Sequence, residues 1–264
     1  MLKPEQSQII ESIRSLAKSI LLPRFAQVSQ DYKADGSIVT EADLEMQAAV
    51  EGFLKTNWPE IPLLGEEMTQ AEQQRLLENS EYLWCLDPLD GTSNFAAGIP
   101  YFCTSLALIK QGVCELAIIY DPIRDECFVA QQGQGASLND TALAPQSTAK
   151  ALDKAIAFVD LKRLPARLAA SLAAEPPFAS QRNFGSGALD WAWLAAGRFH
   201  YYLHGGQKLW DYIAGELILR ESGGYATTLE GQAVPVNQLV PRSVVASTNP
   251  EAQQVWMAEV RGRL

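Results

Sequence analysis

The sequence predicts an α/β protein built as a layered sandwich, in which sheets lie between layers of helices. Two observations lead to this fold class. Four strand-like apolar runs follow one another between residues 82 and 131, and helical segments precede and follow that block. Strands grouped between helices are typical of layered α/β folds, because each sheet must bury its apolar faces against another layer. With 264 residues, the chain is also long enough to bury a sizeable core.

The N-terminal part, about residues 1–150, is predicted to hold three helices and an antiparallel sheet. The first helix covers about 5–28, and Pro23 should kink or end it, because proline disrupts a helix interior. Thr40 and Asp43 match a capping box, so a second helix should begin at about residue 41 and run to 57. The other predicted elements are a strand at 61–65, a helix at 69–79, and strands at 82–87, 102–110, 113–120 and 126–131.

The C-terminal part, about residues 151–264, is predicted to alternate strands and helices. Ser186 should cap a helix over 187–196, and Asn249 should cap the last helix. The other predicted elements are strands at 155–160, 199–204 and 244–248, and helices at 165–174 and 209–222. Because no linker or internal repeat separates the two parts, we expect residues 1–264 to form a single domain.

Composition excludes several classes of function. The net charge is −10 and no run is rich in Lys or Arg, so we expect no nucleic-acid polymer as a partner. No stretch reaches the ~20 apolar residues of a membrane-spanning helix, and the N-terminus lacks the apolar core of a signal peptide. The four cysteines occur singly, which is typical of reduced thiols in a cytoplasmic protein.

The segment WCLDPLDGTSNF, residues 84–95, is the most informative motif. It places Asp87 and Asp90 at the end of an apolar run, where Pro88 and Gly91 favour a turn. The carbonyl of Leu89 can then point the same way as both carboxylates. Such hard oxygen ligands suit Mg²⁺, although Asp, Pro and Gly are also the residues of an ordinary turn.

Three further acidic residues follow or begin predicted elements. Glu66 follows the strand at 61–65, Asp211 begins an apolar helix, and Asp43 lies in the capping box. Each has a local explanation: a solvated loop, a favourable helix dipole and a cap, respectively. If Glu66 and Asp211 lie beside the two aspartates of the motif, however, the four carboxylates repel one another unless cations lie among them. Two divalent ions ~4 Å apart would neutralise them.

Three segments together resemble the signature blocks of the inositol monophosphatase family. These are GEE (65–67), DPLDGTSNF (87–95) and WDYIAGELILRESGG (210–224). KADGSIVTEAD (33–43) is similar to the lid segment of that family, and GSGALDWAWLAAG (185–197) to its substrate-side helix. The resemblance implies an α-β-α-β-α sandwich of the inositol monophosphatase/fructose-1,6-bisphosphatase type. It also implies a Mg²⁺-dependent, lithium-sensitive phosphatase that forms a homodimer and acts on a small phosphorylated metabolite.

The same resemblance assigns roles to individual residues. It implies two Mg²⁺ ions, with a third and weaker site near Glu66. Thr92, oriented by Asp43, would position the attacking water together with Glu66. The implied metal ligands are Glu66, Asp87, the Leu89 carbonyl, Asp90 and Asp211, and the implied phosphate ligands are the backbone N–H groups of Gly91, Thr92 and Ser93.

The substrate stays open at this point. Gly185 and Ser186 lie in the substrate-side segment, but Leu203 or His204 stands where inositol-specific members have a glutamate. His204 and Lys208 could contact a second anionic group. The alternatives to an inositol-phosphate-type substrate are therefore a 3′(2′),5′-bisphosphate nucleotide and histidinol phosphate. From another class of function, the chain could be a non-catalytic, metal-binding partner protein.

Overall fold

A computed structural model of the chain describes residues 5–27, 31–32, 38–146 and 148–264. The helices are α1 (Gln6–Ile20), α2 (Glu41–Asn57), α3 (Gln70–Asn79), α4 (Thr92–Ala97), α5 (Ala166–Ala174), α6 (Gly187–Ala195), α7 (Leu209–Glu221) and α8 (Pro250–Arg261). The strands are β1 (Asp31–Tyr32), β2 (Ile38–Val39), β3 (Leu63–Gly65), β4 (Tyr82–Asp90), β5 (Cys103–Lys110), β6 (Val113–Asp121), β7 (Glu126–Gln131), β8 (Gly135–Leu138), β9 (Thr141–Ala142), β10 (Ile156–Asp160), β11 (Ser180–Arg182), β12 (Tyr201–Gln207), β13 (Tyr225–Thr227) and β14 (Arg242–Ser247).

The N-terminal half of the chain supplies a seven-stranded sheet with the order β3-β4-β5-β6-β7-β8-β9. Its pairs are antiparallel except for β3 and β4, which run parallel. Trp84 and Leu86 of β4 pack in one apolar cluster with residues of α1 and α2, whereas Leu83 and Cys85 pack in a second cluster with residues of α6 and α7. Because alternate side chains of a strand point to opposite faces, the apolar run of β4 over residues 83–86 is buried on both faces of the sheet.

The C-terminal half supplies a five-stranded sheet with the order β11-β10-β12-β14-β13. Strand β10 runs parallel to both β11 and β12, and β14 runs antiparallel to its neighbours. Residues of α5 and α8, among them Leu168 and Trp256, form a separate cluster on one face of this sheet.

Helices α6 and α7 lie between the two sheets. Their residues Trp191 and Ile213 belong to a cluster that also contains Cys85 of the larger sheet and Val244 of the smaller one. The layers therefore follow the order α1/α2, seven-stranded sheet, α6/α7, five-stranded sheet, α5/α8. This confirms the predicted α-β-α-β-α sandwich. No helix among the described residues is long and apolar enough to span a bilayer.

Several predicted elements match the structure to within a residue or two. The capping box is present, with the N–H of Thr40 donating to Oδ2 of Asp43 at 2.8 Å, and α2 covers residues 41–57 as predicted. Asn249 caps α8 by accepting a hydrogen bond from the N–H of Ala252 at 2.8 Å. Helix α1 ends at Ile20, and Pro23 lies in the 3₁₀ turn over Leu22–Arg24 that follows it, so the helix stops near the proline, as predicted, and does not cover the whole of 5–28.

Other predictions need correction. Ser186 precedes α6, but its side chain makes no capping hydrogen bond, because its hydroxyl is used elsewhere, as described below. The strand predicted at 199–204 lies at Tyr201–Gln207, and strand β4 continues past residue 87 to Asp90. The short strands β8, β9, β11 and β13 had no prediction, since each is too short to show a period. Residues 33–37 of the proposed lid lie outside the described residues.

Candidate active site

Strand β4 carries two carboxylates to one side of the sheet by means of a β-bulge. Asp87 pairs with Ser105 of β5. Three positions later, Asp90 pairs with Cys103, which is only two positions away on β5. Side chains three positions apart in a regular strand point to opposite faces, and the extra residue of a bulge corrects this offset. Pro88 lies within the bulge, which is one of the few places where a sheet tolerates proline.

The chain turns directly after β4 and begins α4. Gly91 has φ = 94°, and a Cβ atom there would lie 3.0 Å from the carbonyl oxygen of Tyr101, so this turn requires glycine. Thr92 and Ser93 then form the start of α4. The backbone N–H groups of residues 91–93 therefore lie at the start of a short helix, next to the two carboxylates.

Asp211 comes to the same place from the C-terminal half of the chain. It is the third residue of α7, and its Oδ2 accepts a hydrogen bond from the N–H of Lys208 at 2.9 Å. One oxygen from each of Asp87, Asp90 and Asp211 lies within 4.8 Å of the other two. Oxygens bound to one Mg²⁺ lie up to about 4.2 Å apart, because each is about 2.1 Å from the ion. Small side-chain adjustments would bring these oxygens to that spacing.

The electrostatics of the cluster favour a bound cation. Burial raises the pKa of Asp87 well above its usual range, and the neighbouring Glu66, Asp90 and Asp211 raise it further. Burial, together with Asp90 and Glu66, raises the pKa of Asp211 to about 8. Burial also raises the pKa of Asp90, but only to about 6, because hydrogen bonds to its carboxylate oppose the shift. Since buried carboxylates that repel one another are stabilised by cations, and all the donors are hard oxygens, the residues present fit a divalent ion such as Mg²⁺.

Glu66 reaches the cluster because β3 runs parallel to β4. Gly65 pairs with Leu86, so the residues that follow, Glu66 and Asp87, emerge together at the carboxyl ends of the two strands. The N–H of Glu66 donates to the carbonyl oxygen of Leu86 at 3.2 Å, which holds the turn against β4. This is the position that the strand at 61–65 predicted for Glu66.

The hydroxyl of Thr92 lies between two fixed oxygens. Its Oγ1 is 3.0 Å from Oδ1 of Asp43 and 2.9 Å from the carbonyl oxygen of Leu89. Asp43 is 1% exposed, and burial raises its pKa against the opposing hydrogen bonds from Thr40 and Thr92. The contact between Thr92 and Asp43 agrees with the arrangement that the resemblance implied, and it also brings the Leu89 carbonyl next to the Thr92 hydroxyl.

These groups line one cleft of about 460 Å³. The described residues that line it are Glu66, Asp87, Leu89, Asp90, Gly91, Thr92, Ser93, Lys162, Arg163, Gly185, Gly206, Lys208, Asp211 and Pro241. Ser186 lies just behind the cleft, where its hydroxyl donates to Oδ2 of Asp90 at 2.7 Å, and the N–H of Ala188 donates to the same oxygen at 2.6 Å. The side chain predicted to cap α6 therefore orients one of the candidate metal ligands.

His204 is not among the residues that line the cleft. It lines a smaller cavity of about 100 Å³ behind the carboxylates. Its Nδ1 accepts a hydrogen bond from the N–H of Gly206 at 3.1 Å, so its Nε2 carries the proton and lies 3.3 Å from Oδ2 of Asp160. Burial lowers the pKa of His204 below its usual value, although Asp160 opposes that shift. The expected contact between His204 and an anionic substrate group is therefore replaced by a contact with a carboxylate.

The sequence analysis missed Asp160, Lys162 and Arg163. Lys162 and Arg163 line the cleft, and Asp160 accepts hydrogen bonds from both residues. The available signal was their position directly after the carboxyl end of β10, because ligands of α/β proteins collect at the carboxyl ends of parallel strands. Lys162 and Arg163 resemble ordinary solvated loop residues when the sequence is the only information.

Comparison with known proteins shows the family of the chain. The model of the inositol monophosphatase family matches residues 3–263. The chain belongs to the inositol monophosphatase family. The Nus factor SuhB of Escherichia coli strain K12 is 33% identical over 254 residues, which cover 94% of this chain and 91% of that protein.

Solved structures of the family agree with the fold. The IMPase of Thermotoga maritima has a TM-score of 0.83 and 26% identity, and the match covers 97% of each chain. An IMPase/NADP phosphatase complexed with Mg²⁺ and phosphate has a TM-score of 0.82 and 26% identity, with 96% of this chain and 95% of that chain covered.

The three segments that resemble signature blocks of the family each contribute residues to the cleft, although they are far apart in the chain. Glu66 comes from the first block, Asp87 and Asp90 from the second, and Asp211 from the third. The three aspartates of the cluster offer oxygen donors, which agrees with a divalent metal cofactor. A similar protein of known structure contains Mg²⁺.

Proposed function

We propose that the chain is a Mg²⁺-dependent phosphatase that hydrolyses a small phosphomonoester. The observation that carries this proposal is the convergence of Asp87, Asp90 and Asp211 within 4.8 Å in the cleft that also contains the Thr92 hydroxyl. Carboxylates can hold a metal ion that activates water, and a hydroxyl held in place beside them can orient that water towards a phosphate. The proposal includes a single catalytic domain over residues 1–264.

The proposed metal ligands are Glu66, Asp87, the Leu89 carbonyl, Asp90 and Asp211, which would hold two Mg²⁺ ions, with a third and weaker site near Glu66. When bound, Mg²⁺ supplies Lewis acidity, which makes water a better nucleophile and stabilises negative charge on phosphate oxygens. The groups that orient the attacking water and bind the phosphate are proposed to be residues of this chain.

Thr92 and Glu66 are proposed to orient the attacking water. Because Asp43 and the Leu89 carbonyl fix the Thr92 oxygen, the hydroxyl loses little entropy when it binds that water. The N–H groups of residues 91–93 lie at the start of α4 and are proposed to donate to the phosphate. This scheme needs no side-chain nucleophile and no histidine.

The test measures phosphate release from a panel of substrates, with Mg²⁺ and with a chelator. The panel contains inositol 1-phosphate, 3′-phosphoadenosine 5′-phosphate, histidinol phosphate and fructose 1,6-bisphosphate. We expect Mg²⁺-dependent release from at least one substrate in the wild type. Asp90→Asn should abolish this release and leave the circular dichroism spectrum unchanged.

The control variant is Asp153→Asn, which makes the same chemical change at an exposed residue that does not line the cleft. It should keep the wild-type rate. Release that persists in Asp90→Asn, or release that does not depend on Mg²⁺, would contradict the proposal.

A second candidate function is that of a protein-binding factor, and the 33% identity to the Nus factor SuhB favours it. Such a role does not require turnover, so Asp90→Asn would keep it while losing phosphatase activity. Both functions are compatible with one fold, because the second one needs no turnover in the cleft.

We also propose that the protein is cytoplasmic and homodimeric. Its four cysteines are free and buried thiols, as expected in a reducing compartment. The homodimer rests on the family alone, and analytical ultracentrifugation tests it.

A further inference from the structure

Basic side chains share the cleft with the carboxylates. Among the described residues that line it, Lys162, Arg163 and Lys208 are basic. The whole chain has a net charge of −10. An excess of basic residues in the chain therefore does not account for three of them in one cleft. One phosphate group can be held by the metal ions and the start of α4, which leaves these cations without a role in the reaction proposed above.

The turn that carries Lys162 and Arg163 is held in place by Asp160. Oδ1 of Asp160 accepts a hydrogen bond from the N–H of Lys162 at 3.0 Å, and Oδ2 accepts one from Nη1 of Arg163 at 2.6 Å. Asp160 is 6% exposed, and although burial raises its pKa, hydrogen bonds from His204 and Arg163 and the positive charge of Arg163 outweigh burial and hold that pKa below its usual range. It therefore stays ionised and keeps the turn in one conformation.

Close backbone packing fixes the same turn from the other side. A Cβ atom at Gly205 would lie 1.8 Å from the carbonyl oxygen of Arg163 and 2.9 Å from the backbone nitrogen of Leu164. Only glycine allows the turn to lie directly on strand β12 at this position. Arg163 is thus attached to the cleft wall by two independent constraints.

Arg163 keeps donors for a ligand. Within the described part of the chain, only its Nη1 makes a hydrogen bond or ion pair, and its side chain is 54% exposed. A guanidinium has five N–H donors in a planar fork that suits phosphate oxygens. Because Asp160 already orients this fork, little side-chain entropy is lost when the remaining donors bind an anion.

The cleft also offers room for a substrate that extends beyond one phosphate. Arg163 and Pro241 line both the cleft and an adjoining depression of about 600 Å³, which Arg242 lines as well. A molecule with its first phosphate at the carboxylate cluster would therefore meet Arg163 at the border of this second space.

We propose that Lys162 and Arg163, together with Lys208, form a second-anion subsite, and that the preferred substrate is a small molecule with two phosphate groups. Asp160 and Gly205 are positioning residues, because they act through Arg163. This inference rests on the proposed phosphatase function, since it assigns one phosphate to the metal site and the other to the basic residues.

The test compares substrates that differ only in the second phosphate. The pairs are adenosine 3′-monophosphate with 3′-phosphoadenosine 5′-phosphate, and fructose 1-phosphate with fructose 1,6-bisphosphate. The measured quantity is the ratio of kcat/KM for the bisphosphate to kcat/KM for the monophosphate. For at least one pair, we expect this ratio to be about ten or more in the wild type, because one charge-assisted hydrogen bond is worth about a factor of ten.

Four variants locate the effect. Arg163→Gln and Lys162→Gln should each lower the ratio by about threefold to tenfold, mainly through KM for the bisphosphate. Arg167→Gln removes the same charge from an exposed residue of α5 that does not line the cleft, and it should leave the ratio unchanged. Arg163→Lys should restore part of the ratio, because it restores the charge without the planar fork.

Calorimetric binding of the same pairs in the presence of Ca²⁺ separates this inference from the proposed function. Tighter binding of the bisphosphate, weakened by Arg163→Gln, would support the subsite even if no substrate released phosphate, and the phosphatase function alone would then be wrong. Equal affinity and equal kcat/KM for both members of every pair would overturn the subsite. A ratio that falls equally in Arg167→Gln would overturn it too, since the effect would then be general electrostatics.

Discussion

The Thr92 hydroxyl oxygen lies 3.0 Å from Oδ1 of Asp43, a residue 49 positions earlier in the chain. The other carboxylate oxygen of Asp43 accepts hydrogen bonds from Thr40 and closes the cap of α2. One buried carboxylate thus begins a helix and holds a candidate catalytic hydroxyl. The position of Thr92 is therefore set by the same contacts that form the N-terminal layer of the protein.

The first prediction concerns the Thr92 hydroxyl. Thr92→Ala should lower kcat by about 10²–10⁴-fold and change KM much less, because the hydroxyl is proposed to orient the attacking water and not the substrate. Thr92→Ser should keep a substantial part of the activity, since it retains the hydroxyl. Thr69→Ala removes a threonine hydroxyl at the exposed cap of α3 and serves as the control. Steady-state kinetics on the best panel substrate decide; equal kinetics for Thr92→Ala and wild type would contradict the role.

The second prediction concerns stability against pH without metal. Burial and neighbouring carboxylates raise the pKa of Asp211 to about 8. Because this folded-state pKa exceeds the unfolded value of about 3.9, the protonated form stabilises the folded state. That stabilisation is fully present below about pH 4 and is lost as the pH rises towards 8. The Tm in EDTA should therefore fall between pH 5 and pH 8.

Two comparisons test the cause of this fall. Asp211→Asn should show a smaller fall in Tm over the same pH range, because it removes one of the titrating carboxylates. Addition of Mg²⁺ should raise the Tm of the wild type more at pH 8 than at pH 5, since the ion then replaces the lost protons. Calorimetric scans in EDTA and in Mg²⁺ measure both effects. A wild-type Tm in EDTA that stayed flat with pH would argue against an uncompensated carboxylate cluster.

The third prediction concerns the contact behind the candidate metal site. The Ser186 hydroxyl donates to Asp90 at 2.7 Å, so Ser186→Ala should raise the Mg²⁺ concentration for half-maximal activity by about tenfold. The rate at saturating Mg²⁺ should fall less, because Asp90 itself is retained. Ser19→Ala, at an exposed serine of α1, is the matched control. Mg²⁺ titrations of activity distinguish this result from a loss of folded protein, which would lower the rate at every Mg²⁺ concentration.

The fourth prediction compares two neighbouring glycines. Gly205→Ala should destabilise the protein by about 1–3 kcal/mol or more, because its Cβ would overlap the backbone of Arg163. Gly206→Ala should destabilise the protein much less. The atom nearest to the added Cβ would be Cβ of Pro241 at 3.7 Å, which is an ordinary van der Waals distance. Urea denaturation of both variants measures the difference. Equal stabilities would show that the turn over β12 can move away without cost.

Much of the fold could be predicted because local patterns and the layers agree. The capping box of Thr40 and Asp43 located the start of α2, and the apolar run of β4 indicated a buried strand. Strands such as β11 and β13 were missed, because three residues give no period and their pairing depends on distant parts of the chain. The prediction that Ser186 caps α6 was wrong, because the Ser186 hydroxyl donates to the carboxylate of Asp90 instead.

The candidate site was only partly visible in the sequence for a related reason. Asp87 and Asp90 follow one apolar run, so their proximity could be expected from the sequence, whereas the place of Asp211 beside them was implied only by the family resemblance. Arg163 gave no such signal, because its role depends on a register pair of Asp160 with His204 and on the contact of the turn with Gly205. Contacts between parallel strands that are about 40 residues apart in the sequence do not appear as a local motif.

Because of the bulge in β4, the number of residues between Asp87 and Asp90 matters independently of which residues they are. A strand repeats every two residues, so adding or deleting one residue between Asp87 and Asp90 would reverse which face the second carboxylate occupies. Substitution at positions 88 and 89 can be gradual in its effect, but a change of length there cannot. We therefore expect the spacing of the two aspartates to behave as an all-or-none property in insertion and deletion libraries, even where the residues between them tolerate exchange.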